Sequence, residues 1–231
     1  MGKNDNATPF KAADYDANVF KTVPFYEQFF SETICMVKTV CPEPAVWLDT
    51  GCGTGGLIHR ALPHFPRTRF YLTDPSAQML EQARERFAGS GDAINILPPM
   101  PSQRLHGAHL PPPSVITAIQ CHHYLDNTER KEASEACFRI LSAGGLYVTF
   151  ENFRPASDEG VKVSLGMWKE FQLSQGRDKQ IVEQHAGRFD KEYFPITVEE
   201  HLGLLRECGY AIAELFWLSR MQAGFYAVKS R

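Results

Sequence analysis

Several features are missing from this 231-residue sequence. Its six cysteines, at 35, 41, 52, 121, 137 and 208, form no C-x-x-C pair. Their spacing suits neither a zinc ribbon nor a disulfide framework, so they read as reduced thiols of a cytoplasmic protein. No apolar run is long enough to cross a bilayer. The N-terminus, MGKNDNATPF, lacks the apolar core of a signal peptide, and Asn6 breaks the myristoylation pattern. Residues 1 to about 10 are expected to be disordered. Neither sign of charge dominates: the net charge of −3 gives no reason to expect nucleic acid or an anionic membrane as partner. There is no internal repeat and no interdomain linker. The chain reads as a single domain, 1–231, long enough to bury a full core. Its oligomeric state stays open, a homodimer included.

One stretch organises what is present: Val46 to Gly56, VWLDTGCGTGG. An apolar run that ends in an acid and breaks into glycines predicts a buried parallel strand, a tight turn and a helix start. Glycines allow positive φ and close approach of a ligand, and the helix start offers free N–H groups. Gly51, Gly53 and Gly56 fit the dinucleotide fingerprint G-x-G-x-x-G. Gly51, Gly53 and Gly55 fit D-x-G-x-G-x-G with Asp49 as the acid. An anion at the strand end repels a pyrophosphate and suits an ammonium group. Asp74, 23 positions after Gly51, ends the second predicted strand, where an acid accepts hydrogen bonds from ribose hydroxyls. The competing reading makes Asp74 a helix cap ahead of Pro75 and Ser76.

The segment LDTGCGTG resembles motif I of the class I S-adenosylmethionine-dependent methyltransferases. The resemblance implies a Rossmann-like α/β fold with a seven-stranded, mostly parallel sheet of order 3-2-1-4-5-7-6. It divides the chain into an N-terminal helical segment (1–44), a cofactor-binding core (45–150), a helical cap inserted after strand five (151–195) and a last helix with a strand hairpin (196–231). The implied cofactor is S-adenosyl-L-methionine, with S-adenosyl-L-homocysteine as product. Asp49, Gly51, Cys52, Gly53, Thr54, Gly55 and Asp74 would hold it. By the same resemblance Met79 lies near the adenosine, Met100 and Pro101 surround the adenine, and the Gln120 backbone meets the methionine end.

The acceptor site is read less directly. In an open α/β sheet, ligands bind beyond the carboxyl ends of the strands. That puts His122 and His123 at the rim, after strand four, and Glu151 at the end of strand five. These three are the candidate proton acceptors, His123 first, although a structural histidine at a helix start is the alternative for His123. Tyr15 and Tyr26 in the N-terminal helices, Phe153 and Arg154 after strand five, and Trp168 in the insertion are candidates for touching the substrate. Phe171, His185 and Arg188 are further insertion residues that could face it. Asn127 is expected to cap the helix after strand four. No metal is implied, because adjacent Cys121, His122 and His123 do not close a tetrahedron. The expected activity is methyl transfer to a small molecule by in-line displacement. An RNA-modifying methyltransferase, a nicotinamide-dependent oxidoreductase and a non-catalytic cofactor-binding protein are the alternatives.

Overall fold

The computed structural model describes residues 5–108 and 110–231. Seven strands form one sheet of order β3-β2-β1-β4-β5-β7-β6, as expected. The central strands are β1 (Val46–Thr50), β2 (Arg69–Thr73), β4 (Val115–Ile119) and β5 (Leu146–Asn152). They run parallel, with the short β3 (Ile94–Ile96) outside β2. β7 (Gln222–Val228) inserts antiparallel between β5 and the edge strand β6 (Ile212–Ser219).

The sheet is covered on both faces, which is why β1 and β4 are buried throughout and read as continuous apolar runs. Because side chains alternate along a strand, Trp47 enters one core and Val46 and Leu48 the other. On the first face lie α2 (Tyr26–Val40), α3 (Gly56–Ala61) and α4 (Ala77–Arg86), which bring Phe29, Phe30, Ile58 and Leu80 onto the sheet. On the second lie α5 (Asn127–Ile140) and α8 (Val198–Glu207), with Ala136, Ile140 and Leu205. A capping box closes each of those two N-termini. In α8 it is Thr197 with Glu200, as the sequence suggests; in α5 the cap is Asp126 with Glu129, not Asn127.

The insertion forms α6 (Asp158–Ser174) and α7 (Lys179–Ala186). It is tied to the turn that follows the short α1 (Tyr15–Val19). The Trp168 indole donates to the Thr22 carbonyl at 2.6 Å, and Arg177 donates to the Thr22 hydroxyl. Residues 5–10, expected to be disordered, instead form a strap across the same end of the molecule. Asp5 accepts from the Ser76 hydroxyl at 2.5 Å and from the Gln78 N–H at 3.2 Å, at the start of α4. Arg188 donates to the Ala7 carbonyl at 2.6 Å, and the Phe10 ring lies against His185 and under Arg177. Tertiary partners order this polar segment. Residues 1–4 lie outside the described part of the chain.

Candidate functional site

A cleft of about 440 Å³ opens at the carboxyl ends of β1, β2 and β4, a size within the usual range for cofactor sites. The glycine loop forms its floor. Gly51, Gly53 and Gly55 have φ of +63°, +54° and +79°, the left-handed region that side chains avoid. Gly51 also leaves no space: a Cβ there would stand 2.5 Å from the Cβ of Cys121. Gly56 opens α3 without a positive φ. The three strained positions are therefore those of D-x-G-x-G-x-G rather than of the dinucleotide fingerprint.

Of the three carboxylates that line this cleft, Asp16, Asp49 and Asp74, the last two are buried. Asp49 is 2 % exposed. It pairs with Thr117 across β1 and β4, and the Thr117 hydroxyl donates to its Oδ1 at 2.6 Å. The Trp47 indole donates to the same hydroxyl at 3.0 Å. Burial pushes the Asp49 carboxyl up to about 7, against the Thr117 bond, and the nearby Asp74 charge adds to the rise. Asp74 accepts from the N–H groups of Gly53 and Ser76, both at 2.9 Å. Burial raises it to about 6 in spite of those bonds. Two buried carboxylates in one cleft, held by few donors, suit a ligand that brings a cation to one and hydroxyl donors to the other. S-adenosylmethionine has both: an ammonium and a ribose.

Cys52, Thr54, Met79 and Gln120 also line the cleft, as do Tyr15 and Tyr26. The two tyrosine hydroxyls lie 3.2 Å apart, and burial pushes both phenols up, so they stay protonated. Gln120 is a non-glycine residue at φ +57°, anchored by its N–H to Phe150 O at 2.7 Å and by its amide to Gln222 at 3.0 Å. A strained backbone at a cleft rim is a common mark of function. Gly55, Met100 and Pro101 do not line the cleft. The Gly55 turn faces Phe87, and Met100 donates its N–H to the Asp74 carbonyl while its side chain packs with the second core. Further wall components were not anticipated. The strap supplies Asn6, Ala7 and Thr8. Asp16 of α1 bridges to Thr54 at 2.7 Å and to Arg86. Leu125 adds apolar surface.

A second cavity, of about 50 Å³, adjoins the first. Thr8, Tyr15, Gln120 and Tyr124 line both. Its remaining walls include His123, Asn152, Trp168, His185, Arg188 and Tyr193. His123 Nδ1 lies 2.6 Å from Glu151 Oε2. That carboxylate also accepts the N–H groups of His122 and His123, at 3.2 and 3.0 Å, and the Thr149 hydroxyl at 2.9 Å. Burial works to raise the Glu151 carboxyl, but its His123 hydrogen bond and the neighbouring histidines hold it well below the usual range. A carboxylate at Nδ1 fixes the Nδ1–H tautomer and leaves the Nε2 lone pair free to take a proton.

The structure does not bring the other candidates together. His122 lies outside both cavities, its ring nitrogens 3.0 Å from the Ser102 hydroxyl and 3.3 Å from the Tyr147 hydroxyl. Burial lowers it to about 4, so it stays neutral. Glu151 lies behind His123 rather than in either wall. Phe153 packs against the second core, and Arg154 is paired with Asp190 at 2.6 Å and stacked on Phe189. Phe171 lines neither cavity. Among the described residues, no cluster of three or more histidine, cysteine, aspartate or glutamate side chains could hold a metal ion. Among the same residues, no helix is long and apolar enough to cross a membrane.

Comparison with known proteins agrees with this geometry. Residues 48–147 match a family described as "Methyltransferase domain". The match runs from β1 to β5, and the chain has the fold of the class I S-adenosylmethionine-dependent methyltransferases. Carboxy-S-adenosyl-L-methionine synthase of Campylobacter lari is 21% identical over 203 residues, covering 88% of this chain and 85% of the relative. An O-methyltransferase family protein from Burkholderia thailandensis superposes with a TM-score of 0.61 at 14% identity, over 97% of this chain and 65% of that one. The N-methyltransferase NodS from Bradyrhizobium japonicum, solved with S-adenosyl-L-homocysteine, gives a TM-score of 0.63 at 14% identity, over 90% and 89% of the two chains. The fold thus serves both oxygen and nitrogen acceptors, and the acceptor has to be argued from the site.

Proposed function

We propose that this methyltransferase acts on a small molecule whose reacting atom sits at the junction of the two cavities, with His123 as general base. The observation that carries the proposal is the His123–Glu151 pair, whose histidine lines the smaller cavity beside the wall shared with the cofactor cleft. S-adenosylmethionine supplies, when bound, an electrophilic methyl group on a sulfonium centre. Asp49 would hold its ammonium, Asp74 its ribose hydroxyls, and the glycine loop its methionine chain. His123 Nε2 would accept the acceptor's proton as the acceptor bonds to the methyl carbon and the carbon–sulfur bond breaks, the sulfur keeping that electron pair and leaving as S-adenosylhomocysteine, and Glu151 would stabilise the imidazolium. Tyr15, Tyr124 and the strap exclude water from the junction.

The deciding test is calorimetric titration with S-adenosylmethionine, S-adenosylhomocysteine and NAD, followed by a screen for S-adenosylhomocysteine release with small hydroxyl, amine and carbonyl acceptors. Micromolar binding of the first two, none of NAD, and release with at least one acceptor is the expected result. NAD binding alone would sink the reading. Asp74→Ala is expected to weaken S-adenosylmethionine binding about ten-fold or more, since it removes hydrogen bonds to a charged group, worth roughly 1.5–3 kcal/mol. Unchanged affinity by calorimetry would remove Asp74 from the site.

A second reading makes the cofactor itself the product. The Campylobacter relative, matched over most of its length, is named as a synthase of carboxy-S-adenosyl-L-methionine. Arg188 lines the smaller cavity, where an incoming carboxylate would meet a cation. Mass spectrometry of the cofactor after incubation separates the two: a heavier cofactor supports the second, demethylated cofactor the first.

A further inference from the structure

Resting on the methyl-acceptor reading above, we propose that the smaller cavity admits a short aliphatic group carrying a carbonyl-type oxygen, and that Tyr193 is the specificity residue that donates a hydrogen bond to it. Three observations carry this. The first is size. An apolar cavity of about 150 Å³ is what holds a benzene ring, and this one measures about 50 Å³. Its walls are pinned rather than loose: Trp168 is fixed to the Thr22 carbonyl, and Phe10 is held between Arg177 and His185. A ring does not fit; a group of a few heavy atoms does.

The second observation is an unsatisfied donor. Tyr193 is 4 % exposed, and its hydroxyl has no hydrogen-bond partner among the described residues. Polar neighbours in the same wall are satisfied: His185 Nδ1 lies 3.1 Å from Gln172 Oε1, and the Thr22 hydroxyl donates to Asn18 O at 2.9 Å. The Tyr193 ring stands edge-on to His123, centroids 6.1 Å apart, and edge-on to Trp168. The ring is therefore held beside the proposed base, and burial keeps its hydroxyl protonated. A buried hydroxyl without a partner is costly, and a ligand oxygen would relieve that cost.

The third observation is charge. Histidines and Arg188 line this cavity, and no aspartate or glutamate does. A cationic amine would meet no carboxylate in the wall itself, since Glu192 is paired with Arg188 at 2.6 Å and Glu151 lies behind His123, whereas a neutral oxygen would not be repelled.

Acetamide and benzamide share one amide and differ by the ring, so they separate these claims. Each is titrated into protein saturated with S-adenosylhomocysteine, and the Trp168 indole N–H signal is followed by NMR. Acetamide is expected to bind the native chain, with benzamide showing no saturation over the same range. Tyr193→Phe should weaken acetamide about three- to ten-fold, the worth of one hydrogen bond, with S-adenosylhomocysteine affinity within two-fold of native. The Tm of the variant should not fall, because its hydroxyl has no protein partner to lose. Equal acetamide binding in both proteins, no acetamide binding to the native chain, tight benzamide binding, or a Tm drop beyond a few degrees would each overturn the proposal. Failure of the native chain to bind S-adenosylhomocysteine would instead sink the methyltransferase reading on which it rests.

Discussion

Replacing His123 with alanine is expected to lower kcat by about 10²- to 10⁴-fold, the usual worth of a positioned general base. S-adenosylhomocysteine affinity should stay within about three-fold, because His123 lines only the smaller cavity. The loss should be largest for acceptors that must lose a tightly held proton before they are nucleophilic, such as alcohols, and smallest for neutral amines, which can attack first and lose the proton afterwards. Glu151→Gln should also lose activity, by a different route. Each carboxylate oxygen of Glu151 already takes two donors: Oε1 the His122 N–H and the Thr149 hydroxyl, Oε2 the His123 N–H and Nδ1. A glutamine must turn its NH₂ toward one of those pairs. The fold is then strained and the imidazole loses the partner that sets its tautomer. The measurement is initial rate against acceptor concentration, with calorimetry of the product cofactor as control. A His123→Ala variant with native kcat would show that no base is needed and that the pair is structural.

The core of this molecule is legible in its sequence because the residues that make it do so locally. Asp49 and the glycines after it announce a strand end and a left-handed turn, and the three positive-φ positions are those the motif requires. Thr197 and Glu200 spell a capping box, and so do Asp126 and Glu129. Expecting Asn127 as the cap overlooked that second spacing, which was visible in the chain. The strap is another matter. Asp5 to Phe10 carry no periodicity, and their order comes from Ser76, Arg188, His185 and Arg177, up to 181 positions away. No local pattern encodes such contacts. Met100 and Pro101 show a related limit. The sequence places them after β3, but which side of the loop faces the cleft depends on the Met100–Asp74 backbone bond and on packing behind it. His122 and His123 are adjacent and chemically identical. The short turn after β4 sends one toward Ser102 and the other toward the smaller cavity, a choice made by backbone geometry.

Asp49→Asn should move two observables in opposite directions. Without cofactor, the variant is expected to be more stable than the native chain at pH 8, by on the order of 5–10 °C in Tm, if a shift of several pH units on one buried carboxylate is converted at about 1.4 kcal/mol per unit. The sign follows from linkage. Burial raises the Asp49 carboxyl from 3.8 to about 7 in the folded chain, so the folded state holds the proton more tightly than the unfolded one. That contribution is fully present below the unfolded value near 3.8 and is lost as pH rises through about 7. Asparagine does not titrate and keeps an oxygen for the Thr117 hydroxyl. The Tm difference should therefore be small near pH 4, grow between pH 4 and 7, and level off above. With cofactor the order reverses. The ionised carboxylate is what meets the ammonium, so Asp49→Asn should weaken S-adenosylmethionine binding by about 10- to 100-fold at pH 8. Native affinity should itself rise with pH across the range from about 6 to about 7, as Asp74 and Asp49 ionise. A buried acid that destabilises the empty cleft and is neutralised by its ligand couples occupancy to folding. Scanning calorimetry of both proteins at pH 5, 6.5 and 8, with and without S-adenosylmethionine, reads both effects. A variant that melts below the native chain at pH 8 without cofactor would mean that Asp49 is already balanced by a protein partner and is not reserved for a cation.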